Sequence, residues 1–365
     1  MNIALNRIEK IVFAILKMSL HGKVNTDVEW KSISQEEWEQ CYLLSVKHGV
    51  MALAWDGIQL VISECNLPRT LKLKWAVTVL NYEEKYKKYC QIAAELSDFY
   101  KENGINMLQI KGVGFSAYYP NPAHREGGDI DIYTYSSNRN KLSDAEANKL
   151  ADQLMMKQGI VVDTAHQKHS NFTYKGIPIE NHKTFVNIYT TSAGASINKI
   201  LLDVMNPKDT PLCNGQYYVK TPSHAFNALF LSFHSAQHFG VEMNIHHLYD
   251  WACLLKKEGW CVPSYNIDER FMDFIYAMTY LSNELLGTTI HINGNERLVN
   301  DVYEQMMHAP YPEKIPVKGK WAMFIYKFKR LIYSYKMRKK VFDVAIFKTI
   351  NSKISFHINK LITKI

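Results

Sequence analysis

The period of the apolar positions divides the chain into helical and extended stretches. Apolar side chains recur every three or four positions in residues 8–18 and again in residues 71–100, which predicts two amphipathic helices. The period falls to two in residues 105–110 and 129–135, which predicts strands whose side chains alternate between two faces. A sheet is therefore expected to begin after about the first hundred residues.

The pattern after the second predicted strand contains one more helix and a hairpin. Residues 143–159 return to helical spacing. Residues 170–174 and 177–182 alternate on either side of Lys175-Gly176, which predicts two strands joined by a two-residue turn. Helical spacing resumes from about residue 222 and continues to the end of the chain.

These elements predict an α/β (α+β) fold with a mixed sheet between N- and C-terminal helical regions. The Asn103-Gly104 pair ends the first helical stretch as a C-cap does, and prolines at 310, 312 and 316 interrupt the last one. The predicted parts are a helical region at 1–104, a catalytic core at 105–215, a helical region at 216–315 and a basic, aromatic-rich helical tail at 316–365.

Composition narrows the class of protein. The 365 residues are 47% hydrophobic and 21% charged, which is typical of a globular chain. No stretch of 18 uninterrupted apolar residues predicts a membrane span, and the start of the chain has no signal-peptide pattern. The six cysteines form no Cys-x-x-Cys pair, which argues against a disulfide framework or a zinc ribbon. We therefore expect a cytoplasmic location.

The net charge of +8 is concentrated at the C-terminal end. Thirteen Lys or Arg and one acid between Val317 and Ile365 give the tail +12, which leaves the body mildly acidic. Three interpretations stay open: a solvated helix packed on the body by its aromatic residues, peripheral contact of residues 320–365 with an anionic membrane, and contact with nucleic-acid phosphates. The acidic body argues against a nucleic-acid channel there, so such a surface would have to come from the tail.

The most informative motif is Gly127-Gly128-Asp129-Ile130-Asp131. On a strand, Asp129 and Asp131 point to the same face about 7 Å apart. Two such carboxylates repel each other unless a cation lies between them, and Mg²⁺ binds carboxylates together with substrate phosphates. Glu180, on the second arm of the hairpin, supplies a third carboxylate, although an exposed charge is the alternative for it.

The arrangement predicts two-metal chemistry on a nucleoside triphosphate. Asp129 and Asp131 would bind both ions, while Glu180 would bind the ion on the side of the nucleophile and act there as general base. We expect Mg²⁺, with Mn²⁺ as the alternative. A solvated strand face remains the ordinary interpretation of an Asp-x-Asp pair taken alone.

A turn with phosphate-binding character precedes the motif. Lys111-Gly112 joins the first predicted strand to a helix predicted over residues 113–119, and a helix N-terminus with a lysine beside it suits phosphate oxygens. Gly112 and Gly128 allow close approach to the backbone. Arg125 has the planar fork that binds phosphate, or it could hold one of the carboxylates instead.

These residues carry a resemblance to a known family. Residues 108–120, Arg125 and residues 128–131 resemble the uncharacterised nucleotidyltransferase family of the DNA polymerase β superfamily, with weaker similarity upstream around residues 38–50. The resemblance implies a polymerase β-like core and transfer of a nucleoside monophosphate from a nucleoside triphosphate, with release of pyrophosphate. Lys111-Gly112 stands where the superfamily usually has Gly-Ser.

A second group of residues lies in the C-terminal helical region. His234 and His238 are four positions apart on a predicted helix and share one face, and Asp250 follows beyond an intervening Gly240. The resemblance extends to these three residues. They would line a substrate cleft or pack between helices, and zinc binding is the alternative, since the spacing suits a metal but no His-Glu-x-x-His pattern is present.

The sequence leaves the acceptor unidentified. A sugar or another small molecule is our expectation, because the acidic body does not suit RNA. A different class of function also fits the fold: a catalytically silent module that binds a nucleotide or a carbohydrate. The presence of both aspartates argues against it. Toxins and drug-modifying enzymes with the same fold are a weaker alternative.

Overall fold

The computed structural model of the protein describes residues 3–188, 191–309 and 320–343. Within them the chain forms eleven α-helices, whose bounds are α1 Arg7–His21, α2 Gln35–Lys47, α3 Met51–Gln59, α4 Arg69–Glu102, α5 Asp144–Lys157, α6 Ser192–Val204, α7 His224–His238, α8 Ile245–Glu258, α9 Glu269–Leu286, α10 Val299–Met307 and α11 Lys320–Lys339. The same residues form seven strands, β1 Ile105–Gln109, β2 Ile130–Ser136, β3 Val162–Asp163, β4 His169–Tyr174, β5 Ile177–His182, β6 Lys208–Leu212 and β7 Tyr217–Thr221.

The seven strands form one mixed sheet in the order β3-β4-β5-β2-β1-β7-β6. Strand β2 is central, antiparallel to β1 and parallel to β5. The predicted hairpin is β4–β5, antiparallel with Lys175 and Gly176 at its turn, where both residues have positive φ. The mixed sheet with helices before and after it confirms the predicted fold class.

The two faces of the sheet differ in composition. One face carries apolar side chains of β1, β2 and β5, which pack on apolar residues of α4 and α5. Alternation places Asp131 and Glu180 on the opposite face. The same alternation therefore builds a core on one side and gathers carboxylates on the other.

The chain divides into two compact units, each described here by itself. The sheet unit lies within residues 74–190 and 194–227 and contains the sheet with most of α4. The helical unit lies within residues 1–73, 191–193 and 228–346. Residues 74–102 of α4 thus pack with the sheet, because Cys90, Leu96 and Tyr100 of this helix are part of its apolar core. The four-part division expected from the sequence remains a prediction.

Two local expectations are wrong. The helix predicted over residues 113–119 is a single 3₁₀ turn, Phe115–Tyr118, because Tyr119 must adopt the extended backbone (ψ 148°) that precedes a proline. Strand β2 begins at Ile130, so Asp129 immediately precedes the strand.

The described part of the tail begins with α11, which belongs to the helical unit. After the helix, Val341 and Phe342 are fully buried, and the Phe342 ring lies 4.8 Å from that of Phe233. Trp321, in contrast, is 75% exposed. Residues 316–319 and 344–365 of the predicted tail lie outside the described residues. Among the helices that are described, none has the length and apolar content to cross a bilayer.

Candidate active site

The register of three strands brings four polar side chains together. Asp131 on β2 is directly opposite Glu180 on β5, and His182 of β5 is opposite His169 of β4. Glu180 and His182 are two positions apart and therefore share one face of β5. This arrangement results from pairing alone, since no two of these strands adjoin in the sequence except β4 and β5.

Short nitrogen–oxygen contacts connect the four side chains and a lysine. His182 Nε2 lies 3.0 Å from Asp131 Oδ1 and 3.6 Å from Glu180 Oε2. His169 Nε2 is 3.5 Å from the same Glu180 oxygen. The Lys111 ammonium lies 3.3 Å from Asp131 Oδ2. Nitrogen atoms of neighbouring side chains thus lie beside the carboxylates of both Asp131 and Glu180.

Asp131 is fully buried. Burial by itself would raise the pKa of this carboxyl, but the Lys111 charge and the hydrogen bond from His182 outweigh it and hold the pKa well below its usual range. Burial likewise acts to lower the pKa of Lys111, and the charges of Asp131, Asp129 and Glu180 reverse that effect and raise it.

Asp129 has a different electrostatic environment. Burial and the negative charge of Asp131 raise the pKa of Asp129 to about 6, against a smaller opposing effect of Lys111. For Glu180, burial would raise the pKa, but the hydrogen bond with His182 and the charge of His169 lower it. The three predicted carboxylates therefore interact with one another, but they hold their charge to different degrees.

A buried amide fixes the Lys111-Gly112 turn against β2. The Gln109 side-chain amide donates to the carbonyl oxygens of Lys111 and Asp131, at 3.0 and 2.9 Å. Gly112 has φ +61°, and a Cβ there would lie 3.4 Å from the carbonyl oxygen of Asp129. The left-handed backbone of the turn therefore favours a glycine at this position beside the aspartates.

A cavity of about 270 Å³ adjoins the turn. Arg125 lines it and lies over the Phe115 ring, 5.6 Å from the ring centre. The Tyr89 hydroxyl, also at the cavity, donates to the carbonyl oxygen of Gly128 at 3.0 Å. The lining residues are Tyr82, Lys85, Tyr86, Tyr89, Gly112, Val113, Ser116, Arg125, Glu126 and Gly127. Aromatic rings and two cations thus stand beside the predicted phosphate-binding turn.

A buried polar network supports β5 from the other side of the sheet. Asn181 accepts from Thr134 at 2.9 Å and from Asn148 at 3.0 Å, and it donates to Asp152 at 2.9 Å. Asn148 also donates to the carbonyl oxygen of His182 at 2.9 Å. Helix α5 therefore fixes the part of β5 that carries Glu180 and His182.

Residues 34–286 match a family model described as an uncharacterised nucleotidyltransferase. The chain belongs to this family. No curated protein and no solved structure matches the chain. Family membership, with the mixed sheet, agrees with a polymerase β-like core and supports nucleotidyl transfer as the general reaction.

Nucleotidyltransferases generally use divalent metals, and the structure offers ligands that fit one. One potential ligand atom from each of Asp131, Glu180 and His182 lies within 4.8 Å of the other two. Asp131 Oδ2 is buried and accepts no hydrogen bond, so the Lys111 contact at 3.3 Å is an ion pair without hydrogen-bond geometry. Carboxylate oxygens in this arrangement suit a hard divalent cation.

Three residues of the site are not among the predicted site residues, namely His169, His182 and Lys168. His182 received no role, although its spacing of two from Glu180 on a predicted strand was enough to place it on the same face. Lys168 lies in the loop just before β4; burial and the charge of Lys111 lower its pKa, while Asp131 acts to raise it. The fold thus brings a second ammonium group near the carboxylates through a loop that has no motif.

The predicted cleft residues of the C-terminal region lie in the helical unit. His234 and His238 of α7 have ring centroids 4.7 Å apart, and His247 of α8 is 4.9 Å from His238. Asp250 pairs with His246 at 3.1 Å. The carboxylate group lies in the sheet unit, and the role of His234, His238 and Asp250 in a substrate cleft stays a prediction.

Proposed function

We propose that the protein is a Mg²⁺-dependent nucleotidyltransferase. It would transfer a nucleoside monophosphate from a nucleoside triphosphate to a hydroxyl or phosphate of an acceptor, and pyrophosphate would leave. The observation that carries the proposal is the group formed by Asp131, Glu180 and His182 beside Lys111, with Asp129 two positions before Asp131. Membership in the family supports the general reaction.

The carboxylates are the proposed metal ligands. Asp129, Asp131 and Glu180 would hold Mg²⁺, or Mn²⁺ as the alternative, and a bound ion supplies charge neutralisation at the triphosphate and a lowered pKa of the attacking hydroxyl. Glu180 would accept the proton of that hydroxyl as general base. His182 would orient Asp131 through their 3.0 Å hydrogen bond.

The Lys111-Gly112 turn is the proposed phosphate-binding element. Lys111 would contribute a positive charge, and Gly112 with Gly128 would let phosphate oxygens approach the backbone. Arg125 at the wall of the cavity would bind a further phosphate oxygen. Most of the catalytic effect would then be positioning and charge stabilisation.

The adjoining cavity suits the organic part of one substrate. Tyr82, Tyr86 and Tyr89 line the cavity and would stack on a base or a sugar ring, and the Lys85 ammonium lies over the Tyr89 ring, 5.3 Å from its centre. Its volume of about 270 Å³ fits a nucleoside or a small sugar better than a polymer. A sugar or small-molecule acceptor is therefore the proposal.

One observation favours a second candidate, a catalytically silent module. Both ring nitrogens of His182 face oxygen acceptors, Asp131 Oδ1 at 3.0 Å and the Thr184 carbonyl at 3.3 Å. Together with the Lys111 ammonium at 3.3 Å, the contact of His182 with Asp131 stabilises the buried carboxylate without an ion, as a nucleotide- or carbohydrate-binding module would require.

Ligand-dependent melting separates the two candidates. The protein is heated with ATP, CTP, GTP or UTP, each with Mg²⁺ or with EDTA, beside the double variant Asp129→Asn/Asp131→Asn. Ligand bound only to the folded state raises the melting temperature by mass action. The enzyme proposal expects a Mg²⁺-dependent increase that the double variant lacks. An equal increase with EDTA and in the variant favours the silent module.

The location of the protein and the contacts of its tail also remain proposals. We propose a cytoplasmic protein, on the ground of its scattered cysteines. Peripheral membrane contact through residues 320–365 is proposed from the charge of this segment alone. Co-sedimentation of the full chain with anionic and neutral vesicles tests this contact, and pelleting with the anionic vesicles alone is expected. Equal pelleting with both vesicle types, or no pelleting with either, would contradict it.

A further inference from the structure

We propose that His234, His238 and His247 form a second metal site, in the helical unit, for a transition-metal ion of the Zn²⁺ class. The inference goes beyond the proposed nucleotidyl transfer, which uses carboxylates of the sheet unit. It rests on three imidazoles that lie close together in the fold. The sequence spacing pairs only His234 with His238, and the fold adds His247.

Two helices bring the three imidazoles together. His234 and His238 are one turn apart on α7, and the chain then returns through residues 239–244 so that His247 of α8 lies beside them. The ring centroids of His238 and His247 are 4.9 Å apart, and those of His234 and His247 are 5.9 Å apart. A potential ligand nitrogen of each ring lies within 4.8 Å of the other two.

This spacing is close to what an ion requires. Nitrogens bound tetrahedrally at a zinc–nitrogen distance of 2.0–2.1 Å are about 3.3 Å from one another. Small rotations of the three side chains therefore suffice to bring the nitrogens into position. Each histidine is only partly buried, so an ion can reach the group from solvent.

The donor set selects the class of ion. Neutral imidazole nitrogens bind Zn²⁺ and neighbouring transition metals, whereas Mg²⁺ prefers oxygen ligands. Three histidines leave a fourth position for water, as in zinc sites with catalytic chemistry. The site would therefore bind Zn²⁺ or Co²⁺ in preference to the Mg²⁺ proposed for the carboxylates.

One hydrogen bond must rearrange when the ion binds. The Asn244 backbone N–H donates to Nδ1 of His247 at 3.2 Å and so caps the start of α8. A metal bound through Nε2 requires the ring proton on Nδ1, and the two donors would then face each other. Metal binding is thus expected to change the amide signal of Asn244, which gives the proposal a local spectroscopic signature.

Metal stoichiometry with matched variants tests the site. The full chain is stripped with a chelator, titrated with Zn²⁺, and its bound metal is counted by elemental analysis; Co²⁺ then serves as a visible probe of tetrahedral coordination. The variants are His234→Ala and His238→Gln. The matched control is His246→Ala, which removes a histidine adjacent to the cluster. Asp131→Asn reports separately on the carboxylate group.

The proposal expects a Zn²⁺ equivalent that wild type, His246→Ala and Asp131→Asn retain. His234→Ala and His238→Gln are expected to bind at this site at least about 100-fold more weakly, the larger end of what disturbing the surroundings of a metal costs. Melting temperatures measured in chelator show whether each variant is folded. Because the two substitutions differ in side-chain size and position, the test does not depend on one variant that fails to fold.

Two outcomes overturn the proposal. Zn²⁺ binding that the folded His234 and His238 variants retain at wild-type strength would mean that the three imidazoles only pack against one another. Zn²⁺ binding lost in Asp131→Asn alone would assign the ion to the carboxylate group. Neither outcome depends on nucleotidyl transfer, so the two proposals fail separately.

Discussion

Charge matching between single residues explains why three carboxylates can stand together in a folded protein. Asp131 is buried and keeps its charge because Lys111 and His182 lie within 3.3 Å of it. Asp129 has less compensation, and its pKa rises to about 6. The sequence predicted the carboxylates and Lys111, and its alternation places His182 on the same face as Glu180. It could not predict that Lys111 and His182 both lie against Asp131, because strand pairing decides those contacts.

His182 is expected to act on the metal through Asp131. The substitution His182→Asn removes the 3.0 Å hydrogen bond that orients the carboxylate, and we expect about 10–100-fold weaker Mn²⁺ binding. Mn²⁺ titration of the full chain checks this. His124→Asn is the matched control, since His124 is also buried and paired with a carboxylate, Glu83, at 3.1 Å. Equal effects of both substitutions would contradict the assignment.

Gly112 is expected to matter for both stability and nucleotide binding. Gly112→Ala forces a left-handed backbone on alanine, which costs about 1–2 kcal/mol of unfolding free energy, and places a Cβ 3.4 Å from the Asp129 carbonyl. Gly159→Ala has the same backbone strain, at φ +77°, in open space. Urea unfolding should show similar losses for both, whereas only Gly112→Ala should weaken binding of Mg²⁺ and nucleotide.

At the scale of elements, the two faces of β5 make different kinds of contact. Glu180 and His182 face the carboxylate site, and Asn181 between them faces the polar network under α5. The sequence predicted this strand and its hairpin turn. It could not predict that β5 pairs in parallel with β2, because pairing across nearly fifty residues is decided by tertiary packing.

The network under α5 is expected to stabilise the sheet unit. Asn181→Ala leaves Asn148 and Asp152 buried with fewer partners, which should lower the unfolding free energy by about 2–3 kcal/mol. Urea unfolding measures this. Asn140→Ala, at an exposed position, should stay within about 0.5 kcal/mol of wild type. A loss no larger than that of the control would mean that water replaces the missing amide.

At the scale of the whole molecule, two compact units divide the candidate chemistry between them. The carboxylates belong to the sheet unit and the three-histidine group to the helical unit. The order of the elements along the sequence correctly predicted a mixed sheet between N- and C-terminal helical regions. The division into units was not predictable, because α4 and α7 each continue from one unit into the other without a break in helical pattern.

The end of the described tail is expected to stabilise the helical unit. Phe342 is buried and its ring contacts those of Phe233 and Phe271, at 4.8 and 5.7 Å between ring centres. Phe342→Ala should therefore cost about 3–5 kcal/mol, measured by urea unfolding. Ile325→Ala on α11 is the control, because Ile325 is 49% exposed. Equal stability of the two variants would show that this segment does not dock.

Because Asp131 pairs with Glu180, the strand register that forms the core is also the register that aligns the carboxylates of the site. If β5 shifted by one residue against β2, Asn181 would face the site and Glu180 would enter the apolar core beside α5. That mispaired chain would bury an uncompensated charge and would be strongly destabilised. A molecule that completes its core has therefore already aligned its carboxylates, and insertions within the strand itself should yield insoluble protein instead of a folded, inactive one.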